Sequence, residues 1–303
     1  MPSYSGVWNL VQQYQAKATG NWPLPPLVGD IGLFGGGGTN VIQYIIITTT
    51  GNSTDFGDLT LAKAYTAACA SATRGVFGGG SNQNVMDYVT INTLGNAADF
   101  GDLLSASEGE GPAGCGSATR GIFAGGGGTG SNVIQYITYT SIGNTTDFGD
   151  MTRSSSTLGA CSSTTRAVFG GGTGFVTVNI IDYVTIASTG NATDFGDLLG
   201  QEYGIAGCGS STRGIFSGGN SNVIQYITIA STGNSIDFGD LTNTSSYQSA
   251  TSNTTRAVIT INAGTNIINY VTIASTGNAI DFGDLLANSA GSPSGCSNAN
   301  GGL

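Results

Sequence analysis

Gly51-Asn52-Ser53-Thr54-Asp55-Phe56-Gly57-Asp58 is the stretch on which the reading of this chain turns. Its Gly-Asn pair and its Asp-Phe-Gly-Asp core return together five more times, with the core at Asp99 to Asp102, Asp147 to Asp150, Asp194 to Asp197, Asp237 to Asp240 and Asp281 to Asp284. Successive copies begin 44, 48, 47, 43 and 44 residues apart. A period in the forties belongs to solenoids, arrays and propellers, in which each unit buries its faces only against its neighbours.

Each unit holds four strand-like pieces. A short apolar run, such as Gly32-Leu33-Phe34 or Gly75-Val76-Phe77, leads in most units into glycines. The second piece, as in residues 179–186, carries Tyr44, Tyr88, Tyr136, Tyr183, Tyr226 or Tyr270 at one fixed place. It is close to apolar on both faces, so it requires cover on both sides. The third contains the Asp-Phe-Gly-Asp motif. The fourth is rich in Ala, Gly, Cys and Ser and ends at the turn before Arg74, Arg120, Arg166, Arg213 or Arg256. Four strands per unit and six units predict an all-β fold, a six-bladed β-propeller of four-stranded blades.

The small-residue strand belongs at the crowded axis. The first unit has no such strand before Gly32, whereas the last ends in Ser294-Gly295-Cys296-Ser297-Asn298, which is the missing piece. One blade is therefore expected to be completed by both termini, which removes the open edges. Residues 31–303 are predicted to form this propeller, and residues 1–30 an N-terminal docking segment. Asn9 caps a predicted helix with Leu10, Val11, Tyr14 and Ala18 on one face, ended by Gly20 and followed by the extended Asn21-Trp22-Pro23. A helix this short does not stand alone in water. Trp8, Leu10, Val11, Tyr14 and Trp22 are expected to dock on a partner surface.

Charge is sparse and mostly built into the repeat. Only 9% of residues are charged and the net charge is −10, with eight basic residues. That excludes a phosphate-binding surface and with it nucleic acid as a partner. No apolar run reaches the length of a membrane span and no signal peptide is evident, so no membrane insertion is expected. Twelve of the 18 acidic residues are the motif pairs Asp55 and Asp58, Asp99 and Asp102, Asp147 and Asp150, Asp194 and Asp197, Asp237 and Asp240, and Asp281 and Asp284.

The absence of His removes Ser-His-Asp and Cys-His catalysis and His-ligated zinc or copper. Paired carboxylates suit a hard cation or acid–base chemistry. Six symmetric copies point instead to a turn device, with Asn and Asp side chains satisfying backbone N–H groups while the Phe anchors the blade. The repeat Arg residues suit either an anion-gripping ring or pairing with an Asp of the same or next blade, and the scarcity of other partners favours pairing. The five Cys recur at one position per unit, which suits small packed residues rather than a disulfide framework. No catalytic residue, metal or cofactor is assigned, and a non-enzymatic role is expected.

The strand running into Gly78-Gly79-Gly80, followed by Val85-Met86-Asp87-Tyr88, resembles the kelch repeat. A Phe, as at Phe56 and Phe100, stands where kelch units usually carry Trp, and the sixth unit replaces the glycines with Thr260-Ile261-Asn262. More narrowly, the Gly-Asn-x-x-Asp-Phe-Gly-Asp units are similar to kelch-like proteins of bacteriophages, particularly phages of aquatic bacteria. The head, Ser5 to Leu10 and on through Asn21-Trp22-Pro23, is similar to a segment of phage structural proteins. The resemblance implies a virion component, a tail fibre or decoration subunit within an oligomeric assembly. It would join other virion proteins through its N-terminal segment and present the propeller for host-surface binding or particle assembly. The alternative is a soluble lectin-like module for host-surface glycan, and an enzyme acting on polysaccharide ranks third. The insertions that vary between units, residues 107–111, 128–131 and 173–178, are modest, which favours scaffold over receptor reader.

Overall fold

The computed structural model describes residues 26–105, 111–262, 264–286 and 291–299. Their strands form six four-stranded antiparallel sheets. The first blade consists of β1 (Ile31–Gly37), β2 (Thr39–Ile46) and β3 (Thr54–Lys63), with β24 (Gly291–Ser297) as its innermost strand. The second runs outward through β4 (Ala67–Ala70), β5 (Arg74–Gly78), β6 (Val85–Thr90) and β7 (Ala98–Asp102). The third contains β8 (Ala113–Gly116), β9 (Arg120–Ala124), β10 (Ser131–Thr138) and β11 (Thr146–Ser155). The fourth contains β12 (Gly159–Ser162), β13 (Arg166–Gly170), β14 (Ile180–Thr185) and β15 (Thr193–Asp197). The fifth is β16 (Ile205–Gly209), β17 (Arg213–Gly218), β18 (Ser221–Thr228) and β19 (Ile236–Ser245). The sixth is β20 (Ala250–Ser252), β21 (Arg256–Thr260), β22 (Ile267–Thr272) and β23 (Ile280–Asp284).

The small-residue strands sit innermost and each touches the next around the axis, with β20 meeting β24 to close the ring. The predicted closure by the first and last strands is present, with Leu33 opposite Cys296 and Phe34 opposite Gly295. The closing joint reproduces the turn that links the two inner strands elsewhere. In the second blade Ser71 N–H donates to the Arg74 carbonyl and Arg74 N–H donates back to Ser71 Oγ. In the first blade Asn298 N–H donates to the Ile31 carbonyl at 3.1 Å, and Ile31 N–H donates to Asn298 Oδ1 at 2.7 Å. A side-chain clip thus replaces a covalent turn.

The core is divided into six clusters, one at each blade junction. Between the first two blades, for example, Leu33, Ile42 and Phe56 pack with Ala68, Phe77 and Val89. The Asp-Phe-Gly-Asp motif is a β-bulge. Ile42 pairs with Gly57 and Gln43 with Asp55, so Phe56 has no opposite number. The same register shift occurs in all six blades. An inserted residue re-aims its side chain and adds twist, and each motif Phe is only 2% exposed. Burying a Phe contributes about 1.5–3 kcal/mol.

The blades also alternate, which the single-unit period conceals. The outermost strands β3, β11 and β19 have ten residues each, whereas β7, β15 and β23 have five. The buried residue before the repeat Tyr is Gln43, Gln135 or Gln225 in odd blades and Asp87, Asp182 or Asn269 in even ones. Each reaches the preceding blade. The Gln oxygens accept the N–H groups of Leu286, Leu104 and Leu199, and the Asp and Asn oxygens accept the hydroxyls of Thr60, Thr152 and Thr242. Lys63 and Arg153 pair with the two acids at 2.7 Å, and where Asn269 replaces the acid no ion pair forms among the described residues. At the axis Gly114, Gly207 and Gly295 of odd blades face Ala68, Ala160 and Ala250 of even ones; a Cβ on these glycines would lie 2.4–2.5 Å from the facing carbonyl oxygen. The ring is three two-blade units.

Candidate binding site at the axial mouth

Strand order gives the ring two unlike ends. Turns from the innermost strand to the next, and from the third to the outermost, lie on one face; the other turns within and between blades lie on the opposite face. The first is uniform. At all six junctions the Gly of the Gly-Asn pair donates its N–H to the preceding blade's motif Phe carbonyl, as from Gly95 to Phe56 at 2.9 Å. The residue after Asn donates to the second motif Asp carbonyl, and that Asp's N–H donates to the Asn Oδ1 at 3.1 Å. The closing junction repeats the pattern, from Gly51 to Phe282 and from Asp284 to Asn52. Gly57 has φ +147°, and a Cβ there would lie 2.4 Å from the Gly95 carbonyl oxygen.

This arrangement gives the motif residues their positions. The first Asp of each motif, from Asp55 through Asp99, Asp147, Asp194 and Asp237 to Asp281, is exposed on the outermost strand. Asp99 Oδ1 accepts the N–H of Gly101. The second Asp serves through its backbone. Among the described residues no group of three His, Cys, Asp or Glu gathers at a metal-binding spacing.

The repeat Arg residues depart from the expected pairing with Asp. Arg74, Arg120, Arg166, Arg213 and Arg256 lie over the rings of Tyr88, Tyr136, Tyr183, Tyr226 and Tyr270, 4.3–4.7 Å from the centroids. Each donates Nη1 to a carbonyl of the next blade, those of Tyr139, Ile186, Ile229, Ile273 and Ile47. Cation–π stacking and an unpaired strand-end carbonyl use the guanidinium where no carboxylate is in reach. In the first blade Ile31 stands at the Arg position. There Leu27 packs on the same junction core and donates its N–H to the Asn92 carbonyl at 2.8 Å. The docking set Trp8, Leu10, Val11, Tyr14 and Trp22 lies outside the described residues.

The five Cys are buried at the inner strands. A Cβ on Gly121 would lie 2.5 Å from Cys69 Sγ, so the thiol fills space that the next blade leaves with a glycine. Burial pushes the Cys69 and Cys208 thiols up to about 12, and raises those of Cys115, Cys161 and Cys296 as well. Burial thus favours the neutral thiol, the form of a small packed side chain and not that of a nucleophile.

The opposite face carries the irregular loops, including the variable segments 128–131 and 173–178. At its centre the axial channel opens in a mouth lined by the residues that precede and begin the inner strands. Its rim is a series of residues just before the inner strands. Tyr65 N–H donates to the Gly291 carbonyl, Thr157 to Gly111, Gly204 to Thr157 and Tyr247 to Gly204. Tyr65, Thr157, Gly204 and Tyr247 all have φ between +53° and +64°. Only Gly204 is of the type that adopts this conformation without strain. Tyr65 and Tyr247 meet edge-to-face at 5.4 Å, and Tyr203 meets Tyr247 at 6.0 Å.

Among the described residues no charged side chain lines the mouth. Three buried side-chain atoms of residues around it, Thr157 Oγ1, Gln248 Nε2 and Ser249 Oγ, have no hydrogen-bond partner among the described residues. Leaving such a group unpaired costs about 1–3 kcal/mol. These residues escaped the sequence reading because they lie in loops outside the repeated core. The available signal was a set of residues, Tyr65, Thr157 and Tyr247, each two or three positions before a small-residue strand and about two blades apart.

No family model matches the chain, and no curated protein matches it.

Proposed function

We propose that this protein is a non-enzymatic structural and binding module, a fibre or decoration subunit of a phage particle. The β-propeller is consistent with a protein-binding or structural module. The observation that carries the reading is the division between the faces. The uniform face spends its repeated residues on holding neighbouring blades, whereas the loops that differ between blades share the other face. On this reading the variable face is the one that meets a ligand or host surface. The similarity of the repeat units to phage kelch-like proteins supports the particle assignment.

The test is mass spectrometry of purified particles, followed by deletion of residues 2–28. Recovery of the chain with particles, and its loss from particles when a still-folded ring lacks residues 2–28, is the expected result. A chain absent from purified particles overturns the assignment.

A further inference from the structure

We propose that the uniform face carries a docking site for this chain's own leading segment, which runs from the first blade past the second and seats Trp22 against Ile142 of the third. The proposal concerns the ring alone and stands apart from the particle assignment.

The first observation is the course of the chain as it enters β1. The Asp30 carboxylate accepts Asn253 Nδ2 of the sixth blade at 2.7 Å, and the Asp30 carbonyl accepts the Ile47 N–H of the first. Gly29 lies beside Ile46, and its carbonyl accepts Asn298 Nδ2 at 2.9 Å. Leu27 then donates its N–H to the Asn92 carbonyl of the second blade at 2.8 Å. Followed upstream, the backbone passes from the edge of the sixth blade, across the first, to the second. Its continuation before Pro26 is directed at the third.

The second observation is a break in the repeat at that place. The residue before the Gly-Asn pair is Thr in four blades, at Thr50, Thr189, Thr232 and Thr276, but Leu94 in the second blade and Ile142 in the third. Leu94 is half-buried, and it packs with Leu27 on one junction core. Ile142 is 62% exposed and lines a concavity with Tyr136, Thr138 and Ser141. A single exposed apolar side chain is ordinary on a protein surface. Here it replaces Thr only in the blade where the segment is seen to dock and in the next blade along its course.

The third observation is reach. Pro23-Leu24-Pro25-Pro26 favours an extended polyproline II run, and Trp22 stands five residues before Leu27, which is about 15 Å at 3.1 Å per residue. Packed sheets lie about 10 Å apart, and blades diverge toward the rim, so this length spans one blade to the next. The prolines hold the run extended before it docks, so little conformational freedom is lost on seating the indole. Tethering at Leu27 also keeps Trp22 at a high effective concentration beside its own ring, which favours the same chain over a second copy.

The experiment uses the full chain, whose only two Trp are Trp8 and Trp22. Trp8→Phe leaves Trp22 as the sole indole. Short-wavelength emission and resistance to acrylamide quenching are expected in that chain. Adding Ile142→Thr, which installs the residue of four other blades, is expected to move the emission to that of free tryptophan and to restore quenching, with an unchanged far-UV spectrum. Adding Ile236→Thr instead, at an exposed Ile of the fifth blade, is expected to leave Trp22 protected. A Trp22 that emits like free tryptophan before Ile142 is changed overturns the proposal. Protection that survives Ile142→Thr also overturns it and puts the indole elsewhere. Protection confined to concentrations at which sedimentation velocity shows a dimer assigns the concavity to a second copy and overturns docking within one chain. Because no particle enters the assay, its failure is distinct from failure of the particle assignment.

Discussion

At one end of the ring six Gly-Asn turns make the same three hydrogen bonds to the blade before them. Nearer the other end the junctions are held in several ways, by Lys63 on Asp87, Arg153 on Asp182 or Thr242 on Asn269 in the even blades, and by a buried Gln in the odd. The contrast shows where repetition is required. A backbone clip that admits no Cβ at its closest point leaves one solution, and every blade adopts it. Side chains meeting across a wider gap have several solutions, and the loops above them are free to carry a site. The comparison breaks wherever the uniform end tolerates change or the variable end does not.

Removal of residues 290–303 is expected to have the largest effect. It takes away β24, the Cys296 packing and the Asn298 clip, and leaves β1 and the neighbouring inner strands with open edges. Loss of the cooperative melt and aggregation on size-exclusion chromatography are expected. Replacing residues 174–176 of the exposed loop, where Phe175 is 92% exposed, with a short Gly-Ser link is expected to leave the melt within about 0.5 kcal/mol of the parent. A truncated chain that melts like the parent would remove closure as the organising constraint.

The Lys63–Asp87 pair comes next. Both side chains are fully buried, and Lys63 Nζ also donates to the Val85 carbonyl. Lys63→Met takes away the buried counter-charge of Asp87 and leaves it the Thr60 hydroxyl as its side-chain partner, at a cost of about 3–5 kcal/mol. The double variant Lys63→Met with Asp87→Leu is expected to recover most of that loss in chemical denaturation, since an apolar pair replaces an ionic one. No recovery would mean that this junction is as tightly specified as the uniform end.

Two glycine substitutions compare the ends directly. Gly57→Ala drives a Cβ against the Gly95 carbonyl in addition to its backbone strain, whereas Gly127, at φ +82°, has no atom within 4 Å of its missing Cβ. The expected losses in thermal melts are about 2–4 kcal/mol for Gly57→Ala and about 1–2 kcal/mol for Gly127→Ala. Equal losses would show that strain alone, and not the interblade clip, fixes the motif glycine.

Much of this architecture was legible in the sequence because it rests on local repetition. The recurrence of Asp55 to Asp58 set the blade number, and the fragment around Cys296 matched the strand missing before Gly32. The Arg partners were not legible. Opposite charges suggested Arg–Asp pairs, but the bulged outermost strand holds the motif Asp away from Arg74, whose nearest acceptor is a carbonyl 65 residues on. The pairing of blades was present in the letters, as Gln43, Gln135 and Gln225 against Asp87, Asp182 and Asn269. Its meaning required knowing that each contacts the preceding blade. The axial mouth was the least legible, since its rim residues Tyr65, Thr157 and Tyr247 recur only every 92 and 90 residues, a two-blade spacing that the single-blade period conceals.

The smallest expected effect belongs to Glu202, a titratable group at the variable end. The residue is 8% exposed and its carboxylate accepts Gln225 Nε2–H at 2.7 Å, while its backbone carbonyl accepts the N–H of Gly172. Burial pushes its pKa up from the ordinary 4.5 to about 7, opposed by the Gln225 bond. The folded state then binds a proton more tightly than the unfolded chain between those values. The contribution is fully present below about 4.5 and is lost as pH rises through about 7. Glu202→Gln keeps the shape and removes the titration. The difference in Tm between parent and variant is therefore expected to change with pH across that window, with the parent losing ground as pH rises, and to be flat above it. A difference independent of pH would place Glu202 in a solvated setting and leave the variable end as insensitive to pH as a clip made of backbone.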